Sequence, residues 1–444
     1  MPFPGVLIAD KVSYFCDNAQ IKTYAFFFKF IINSILLYQV LSIFLNFAVR
    51  TNKKHNNQAM KTKRFLHYIY IGATASLLAF TSCNRHRADN TPADGDTIRM
   101  AYSELLTIVK HDGYKVAEIR NPWKQGKVLH RYVLVERADS ARMASKAAGM
   151  KEATIVYTPL RRSVMFTSPH CWLLGQLGAE DVVKGVCDLS YIYVPYVQDG
   201  IKKGGITDCG NSMSPTVERI VALRPDAIFV SPFNGVSYGQ MDHLGVPLIE
   251  CADYMETSAL GRAEWMRFYG MLVGKEEAAD KMFADVVRSY DAIKKEAKRS
   301  KTSPKVITER VVSGVWYCPG GRSSMGRLIA DAGGRYVFAD DKSSGSLPGV
   351  PEKVMSSAQD ADCWFFVYNG MKAPDRKFLL DEYKGYAMIK AFKEGNVYEC
   401  GSTTGIPYFE EISFRPDSLL LDFAKIFHPD IYPNAHTRYY KKME

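Results

Sequence analysis

The sequence predicts an α/β protein of two lobes, each a mainly parallel sheet covered by helices. One long α-helix joins the lobes, and a strand-rich extension precedes them. Three observations carry this. Short apolar strands alternate with helical segments over about 159–259, and the same alternation restarts at 304–444. Between them an amphipathic stretch of helical period runs over about 260–299. Such alternation builds parallel sheets, because parallel strands need a crossover and a helix supplies it. A chain of 444 residues also exceeds what one core usually organises.

The first informative segment opens at Met60, MKTKRFLHYIYIGATASLLAFTSC. Lys61, Lys63 and Arg64 form a positive start, Phe65 to Phe80 is mostly apolar, and Thr81, Ser82 and Cys83 follow. This is the layout of a secretory signal, too short and wrongly flanked for an ordinary membrane span. Ending on a small residue directly before cysteine, 60–83 resembles a bacterial lipoprotein signal, which implies cleavage and acylation at Cys83. Phe80 and Thr81 depart from the commoner small or aliphatic residues. Tyr24 to Val49 is also apolar, but Lys29, Asn33, Gln39 and Asn46 interrupt it and a complete signal follows. Residues 1–59 are therefore read as an extension from an upstream start, with Met60 as the true one. The polar stretch 84–97 reads as a tether.

Residues 98–158 alternate in hydrophobicity, with a turn at His111, Asp112 and Gly113, and form the strand-rich extension. In the first lobe RSVMFTS is a strand, and SPHCWLLGQLGAEDVVKGV is a turn, helix and strand. VERIVALRPDAIFVSP is a helix and buried strand parted by Arg224-Pro225-Asp226, and GVPLIEC is a third strand. The connecting segment is interrupted only at Gly270 and Gly274, and the part after Gly274 spans ~36 Å at about 1.5 Å per residue. In the second lobe KVITERVV is a strand, SSMGRLIADAGG a helix stopped by paired glycines, and VPEKVMSSAQ a helix. DCWFFVYN and NVYECG are strands, and DSLLLDFAKIFHP is a closing helix ended by Pro429.

Composition narrows the function. The formal charge of +10 is spread along the chain with no arginine-rich arm, which argues against nucleic acid. The nine cysteines occur singly with no CxxC pair, which argues against a structural zinc site. With Cys16 and Cys83 set aside seven remain, so disulfides are possible but not demanded.

The order of these segments, over about Pro159 to Pro433, resembles the periplasmic binding proteins of ABC importers for cobalamin, ferric siderophores and heme. The resemblance rests on SPHCWLLGQLGAEDVVKGV, on SPTVERIVALRPDAIFVS, on the single linking helix, on GRLIADAGGRYVF and on the closing KIFHPD. It implies two Rossmann-like lobes, a lipid-anchored carrier on the periplasmic side of a bacterial membrane, and a permease with its ATPase as partners. The ligand implied is a chelated metal complex, with no intrinsic cofactor. The extension at 98–158 is not part of that pattern.

By motif position the resemblance makes Glu218, in PTVERI, and Glu352, in VPEKV, the carboxylates that dock onto permease arginines. A carboxylate at a helix start has a favourable dipole environment, though routine helix-start glutamates share that position. The loops matching the ligand site contain His170, Tyr191, Tyr193, Trp316, Tyr317, Arg322, Tyr408 and Arg415. Aromatic rings and guanidinium groups suit a large, flat or anionic complex. Each has a plainer reading: Trp316 as core, Arg415 as a helix cap, Tyr193 as a loop stiffener. His170 is placed either to ligate the metal of the complex or as a polar residue of loop or first helical turn. A bare-metal carrier needs several convergent His and carboxylate ligands, and the lobes hold only His170, His243, His428 and His436.

Two other classes stay open. One is a surface lipoprotein that binds another protein. The other is an α/β hydrolase-like enzyme, against which stand the lack of a GxSxG elbow, a P-loop and a strand-borne GxGxxG. GGRSSMG around Ser323 has Met325 where the second glycine of an elbow belongs.

Overall fold

The computed structural model describes residues 95–444, apart from 151, 371 and 403–405. The signal layout, Cys83 and the tether up to residue 94 lie outside the described residues. Among the described residues no helix is long and apolar enough to cross a membrane.

The extension opens with β1 (Asp96–Ile98), β2 (Leu106–His111), β3 (Tyr114–Arg120) and β4 (Val128–Glu136), which pair antiparallel in that order. The turn between β2 and β3 needs Gly113, whose φ of +81° is costly for any residue with a Cβ. Helix α1 (Ser140–Ala148), which the sequence reading missed, crosses over so that β5 (Thr154–Thr158) joins β4 in parallel. One face of this sheet, with Leu106, Ile108, Ala117, Ile119 and Leu134, enters the main core of the molecule. The other face buries Tyr114, Val133 and Val135 beneath Met143 of α1. Strands buried on both faces are not an appendage, and the extension is part of the folded body.

The first lobe runs β6 (Ser163–Met165), α2 (Ser168–Gln176), β7 (Val183–Val186), α3 (Pro195–Lys202), β8 (Thr207–Asp208), the hairpin β9 (Gly210–Asn211) and β10 (Ser214–Pro215), α4 (Val217–Leu223), β11 (Ala227–Val230) and β12 (Leu248–Glu250). Its parallel sheet has the order β12-β11-β6-β7-β8. The chain builds outward from β6 in one direction and then crosses to the other side, so β6 is the switch strand.

The connecting segment is three helices: α5 (Ala259–Glu264), α6 (Met266–Val273) and α7 (Glu276–Ala297). The break at Gly274 follows from its left-handed φ of +67°. The break at Trp265 is a correction, because the apolar period runs through it unbroken. The 22 residues of α7 span about 33 Å.

The second lobe runs β13 (Lys305–Thr308), β14 (Val311–Val312), β15 (Val315–Pro319), α8 (Ser324–Asp331), β16 (Arg335–Tyr336), β17 (Ser346–Gly349), α9 (Pro351–Ala358), β18 (Cys363–Tyr368), α10 (Arg376–Glu382), α11 (Lys390–Glu394), β19 (Val397–Gly401), α12 (Tyr408–Glu411), α13 (Pro416–Phe427) and β20 (Lys441–Lys442). Its main sheet has the order β16-β13-β18-β19-β20, parallel except for β20, with β13 as the switch strand. The single strand expected over KVITERVV is two. Glu309 takes a φ of +62° after β13, and β14 turns away into a separate sheet with β15 and β17.

Candidate ligand site at the lobe seam

Open α/β sheets place ligands beyond the carboxyl ends of their strands, at the switch point. Here those positions are Phe166 and Thr167 after β6 and Glu309 after β13. The two lobes meet close by. The short helix α12 lies against α2, and the carboxylate of Glu410 accepts the Tyr193 N–H at 3.3 Å. Burial pushes the Glu410 carboxyl up, and its neighbour Glu411 adds to this. Tyr193 itself is raised by burial and then by Glu410 and Tyr191. Thus the loop after β7, with Tyr191 exposed and Tyr193 half-buried, forms one wall of the seam.

His170 lies deeper than a ligand contact would require. It is 3% exposed. Its Nδ1 meets the Thr167 hydroxyl, and its Nε2 lies 3.1 Å from Asp253. Tyr269 donates to the same carboxylate at 2.8 Å and Arg262 at 3.1 Å. Burial alone would raise the Asp253 carboxyl, but His170 and then Arg262 outweigh it and hold the group below its ordinary range. Phe414 of the second lobe stacks edge-on to both His170 and Tyr269, with ring centroids 5.7 and 6.0 Å away. With both ring nitrogens engaged, His170 joins the lobes and has none free for a metal.

Two further expectations are corrected. Trp316 is fully buried, donates its indole N–H to the Thr308 carbonyl at 3.1 Å and packs edge-on to Tyr386. Strand alternation explains this, since Trp316 faces the core and Tyr317 the opposite side. Tyr408 is also buried, its hydroxyl 3.1 Å from that of Tyr440. Arg415 precedes α13 and is spent on a two-pronged ion pair with Asp417 at 2.8–2.9 Å. Arg322 is exposed and Tyr317 half-buried, and neither side chain has a hydrogen bond, ion pair or ring contact among the described residues. Of the expected residues, Tyr191, Tyr193, Tyr317, Arg322 and the ion-paired Arg415 keep surface to offer.

Glu309 was missed. It terminates the switch strand of the second lobe in a conformation that costs about 1–3 kcal/mol for a residue with a side chain. Burial pushes its carboxyl up to about 7, against the pull of Arg310 and the Val367 N–H. After the larger effect of burial, its charge helps to raise the hydroxyls of Tyr408, Tyr440 and Tyr336 and the Cys318 thiol. The one trace of it in the sequence is an acid inside the valine- and isoleucine-rich run KVITERVV.

Glu218 and Glu352 occupy the first turns of α4 and α9. Both are exposed, and neither has a hydrogen bond or ion pair with another described residue. Exposed apolar side chains flank them: Met213 and Val221 beside Glu218, and Val350 beside Glu352. Among the described residues no group of His, Cys, Asp and Glu is arranged to hold a bare metal ion.

Comparison with known proteins bears on this arrangement. The profile of the periplasmic binding protein family matches residues 173–404, just over half of the chain. An uncharacterized lipoprotein of Methanocaldococcus jannaschii is 27% identical over 303 residues, covering 65% of this chain and 70% of its own. A second uncharacterized lipoprotein of that organism is 25% identical over 391 residues, covering 84% and 93%. A periplasmic heme binding protein from Pseudomonas aeruginosa superposes with a TM-score of 0.51 at 17% identity, covering 64% of this chain and 98% of that one. The last likeness is one of fold.

Proposed function

The chain belongs to the periplasmic binding protein family, and from that premise we propose that it is the lipid-anchored substrate-binding component of an ABC importer. It captures a chelated metal complex outside the cytoplasmic membrane and hands it to a permease. The observation that carries this reading is the seam itself. Beyond the switch strands β6 and β13 of lobes joined by α7, the loop after β7 bears Tyr191 and Tyr193, and β15 with the turn after it bears Tyr317 and Arg322. Rings and an uncommitted guanidinium bind a flat or anionic complex by stacking and charge-assisted hydrogen bonds.

Both relatives named lipoproteins support an anchor, and Cys83 is the residue proposed to carry it. Glu218 and Glu352, one on each lobe, are proposed to meet cationic residues of the permease, where two separated charges fix orientation. The test is titration of the purified full-length chain in detergent with heme, cobalamin and ferric hydroxamate, followed by visible absorption. One of the three is expected to bind at micromolar or tighter affinity, and to bind more weakly after Tyr191→Ala or Arg322→Ala. Absence of binding by all three refutes the chelated-metal assignment.

A further inference from the structure

We propose that Cys187 and Cys209 are a disulfide-forming pair, a modification site at the base of the loop that carries Tyr191 and Tyr193. Strands β7 and β8 run parallel, with Gly185 opposite Thr207 and Val186 opposite Asp208. One residue further on, the Cys209 N–H donates to the Val186 carbonyl at 2.8 Å. A parallel ladder makes that bond when Cys187 stands opposite Cys209. Adjacent strands lie about 4.8 Å apart, inside the Cα separation of about 4.4–6.8 Å that a disulfide spans.

The two side chains also share a face. Val186 enters the main core, whereas Cys187 and Cys209 both enter the smaller cluster with Ile220 and Ile228 beneath α4. The sulfur of Cys209 rests over Gly185, where a Cβ would stand only 2.8 Å from it. The same sulfur lies 3.7 Å from the Thr207 carbonyl. Cys363 and Cys400 also lie on neighbouring strands, but Cys400 stands opposite Val367 and the two are offset.

Pairing is thiol–disulfide exchange with an oxidised disulfide carrier. One thiol gives up its proton and attacks the carrier's S–S bond. That bond breaks, and one carrier sulfur leaves and takes up a proton. The second thiol, losing its proton, attacks the mixed disulfide and releases the other carrier sulfur as a thiol. Two protein thiols are oxidised and one carrier disulfide is reduced. Burial pushes the Cys209 thiol up to about 11 and Cys187 further still, so thiolate is scarce once α4 is in place. Pairing therefore belongs to folding, or to moments when α4 lifts. The product ties together the two ends of residues 188–208 and fixes the hairpin that leads to Glu218. The supply of oxidant rests on the extracytoplasmic location proposed above, and the geometry does not.

Trypsin cleaves after Lys184, Lys202, Lys203 and Arg219, which leaves the two cysteines on separate peptides, 185–202 and 204–219. The full-length chain is unfolded in detergent, refolded with oxidised glutathione, alkylated and digested. A second sample is alkylated in intact cells before lysis. The expected product is a linked 185–202/204–219 pair that dithiothreitol separates. In Cys209→Ala, peptide 185–202 is expected to carry alkylated Cys187 instead. Refolded protein with both cysteines alkylated, or with Cys187 joined to a different cysteine, overturns the proposal. A linked pair after refolding, beside free thiols in cells, upholds the pair and counts against the extracytoplasmic reading.

Discussion

Glu309 shows how one side chain can set the pH response of the seam. Its carboxyl titrates at about 7 in the folded chain, against 4.5 for an ordinary glutamate. Between those values the folded state holds more protons than the unfolded one, so stability falls as pH rises through that window. Below it the group costs nothing; above it the full penalty applies. Glu309→Gln is expected to flatten this part of the profile and to gain about 1–3 kcal/mol at about pH 8 relative to wild type. Urea unfolding of both proteins across the window checks it, and equal slopes would show that Glu309 is solvated like any surface acid. The same residue explains a limit of sequence reading. Valine and isoleucine on both sides of Glu309 favour a continuous strand, and nothing local signals that tertiary packing will hold it at positive φ.

At the scale of elements, the βα rhythm was legible because helix and strand periods are local properties of the chain. Most helices and strands of both lobes follow it, and Gly274 ends a helix as its backbone freedom suggests. What stayed hidden depends on distant partners. The segment from Ala101 to Leu105 is held by two acids more than 150 positions away. Glu264 accepts the N–H groups of Ala101, Tyr102 and Ser103 at 2.8–2.9 Å. Glu256 accepts those of Glu104 and Leu105 at 3.0–3.1 Å, together with the Ser103 hydroxyl and the Trp265 indole. Both carboxylates are buried. Glu264→Ala leaves three amides without acceptors, a loss expected at about 3–5 kcal/mol. Glu264→Gln, which keeps one oxygen, loses less. Denaturant unfolding gives the cost, and hydrogen exchange at 101–103 gives the cause. Unaltered exchange there would mean that the strands on either side hold the segment unaided.

For the whole molecule, the main core runs without a break from Ile108 in the extension through Phe268 in α6 to Phe365 and Phe423 in the second lobe. Phe414, His170 and Tyr269 seal the seam within it. Lobes sharing a core hold Glu218 and Glu352 at a set separation, as a two-point dock requires. Reversing either charge to Lys is expected to leave ligand affinity and fold unchanged, because exposed charges add little stability, while uptake in cells falls severalfold. Wild-type uptake by both reversed variants would remove the docking role. The clamp on Ala101 to Leu105 has a mechanical side as well. A pull on the chain ahead of residue 95 first peels β1, which is held by only three residue pairs at a sheet edge. It then meets the paired carboxylates, which bear on α5 and on the loop before it. Tension from the N-terminal side is thus taken up at α5 and the loop before it, and the loops proposed to hold the ligand stay slack.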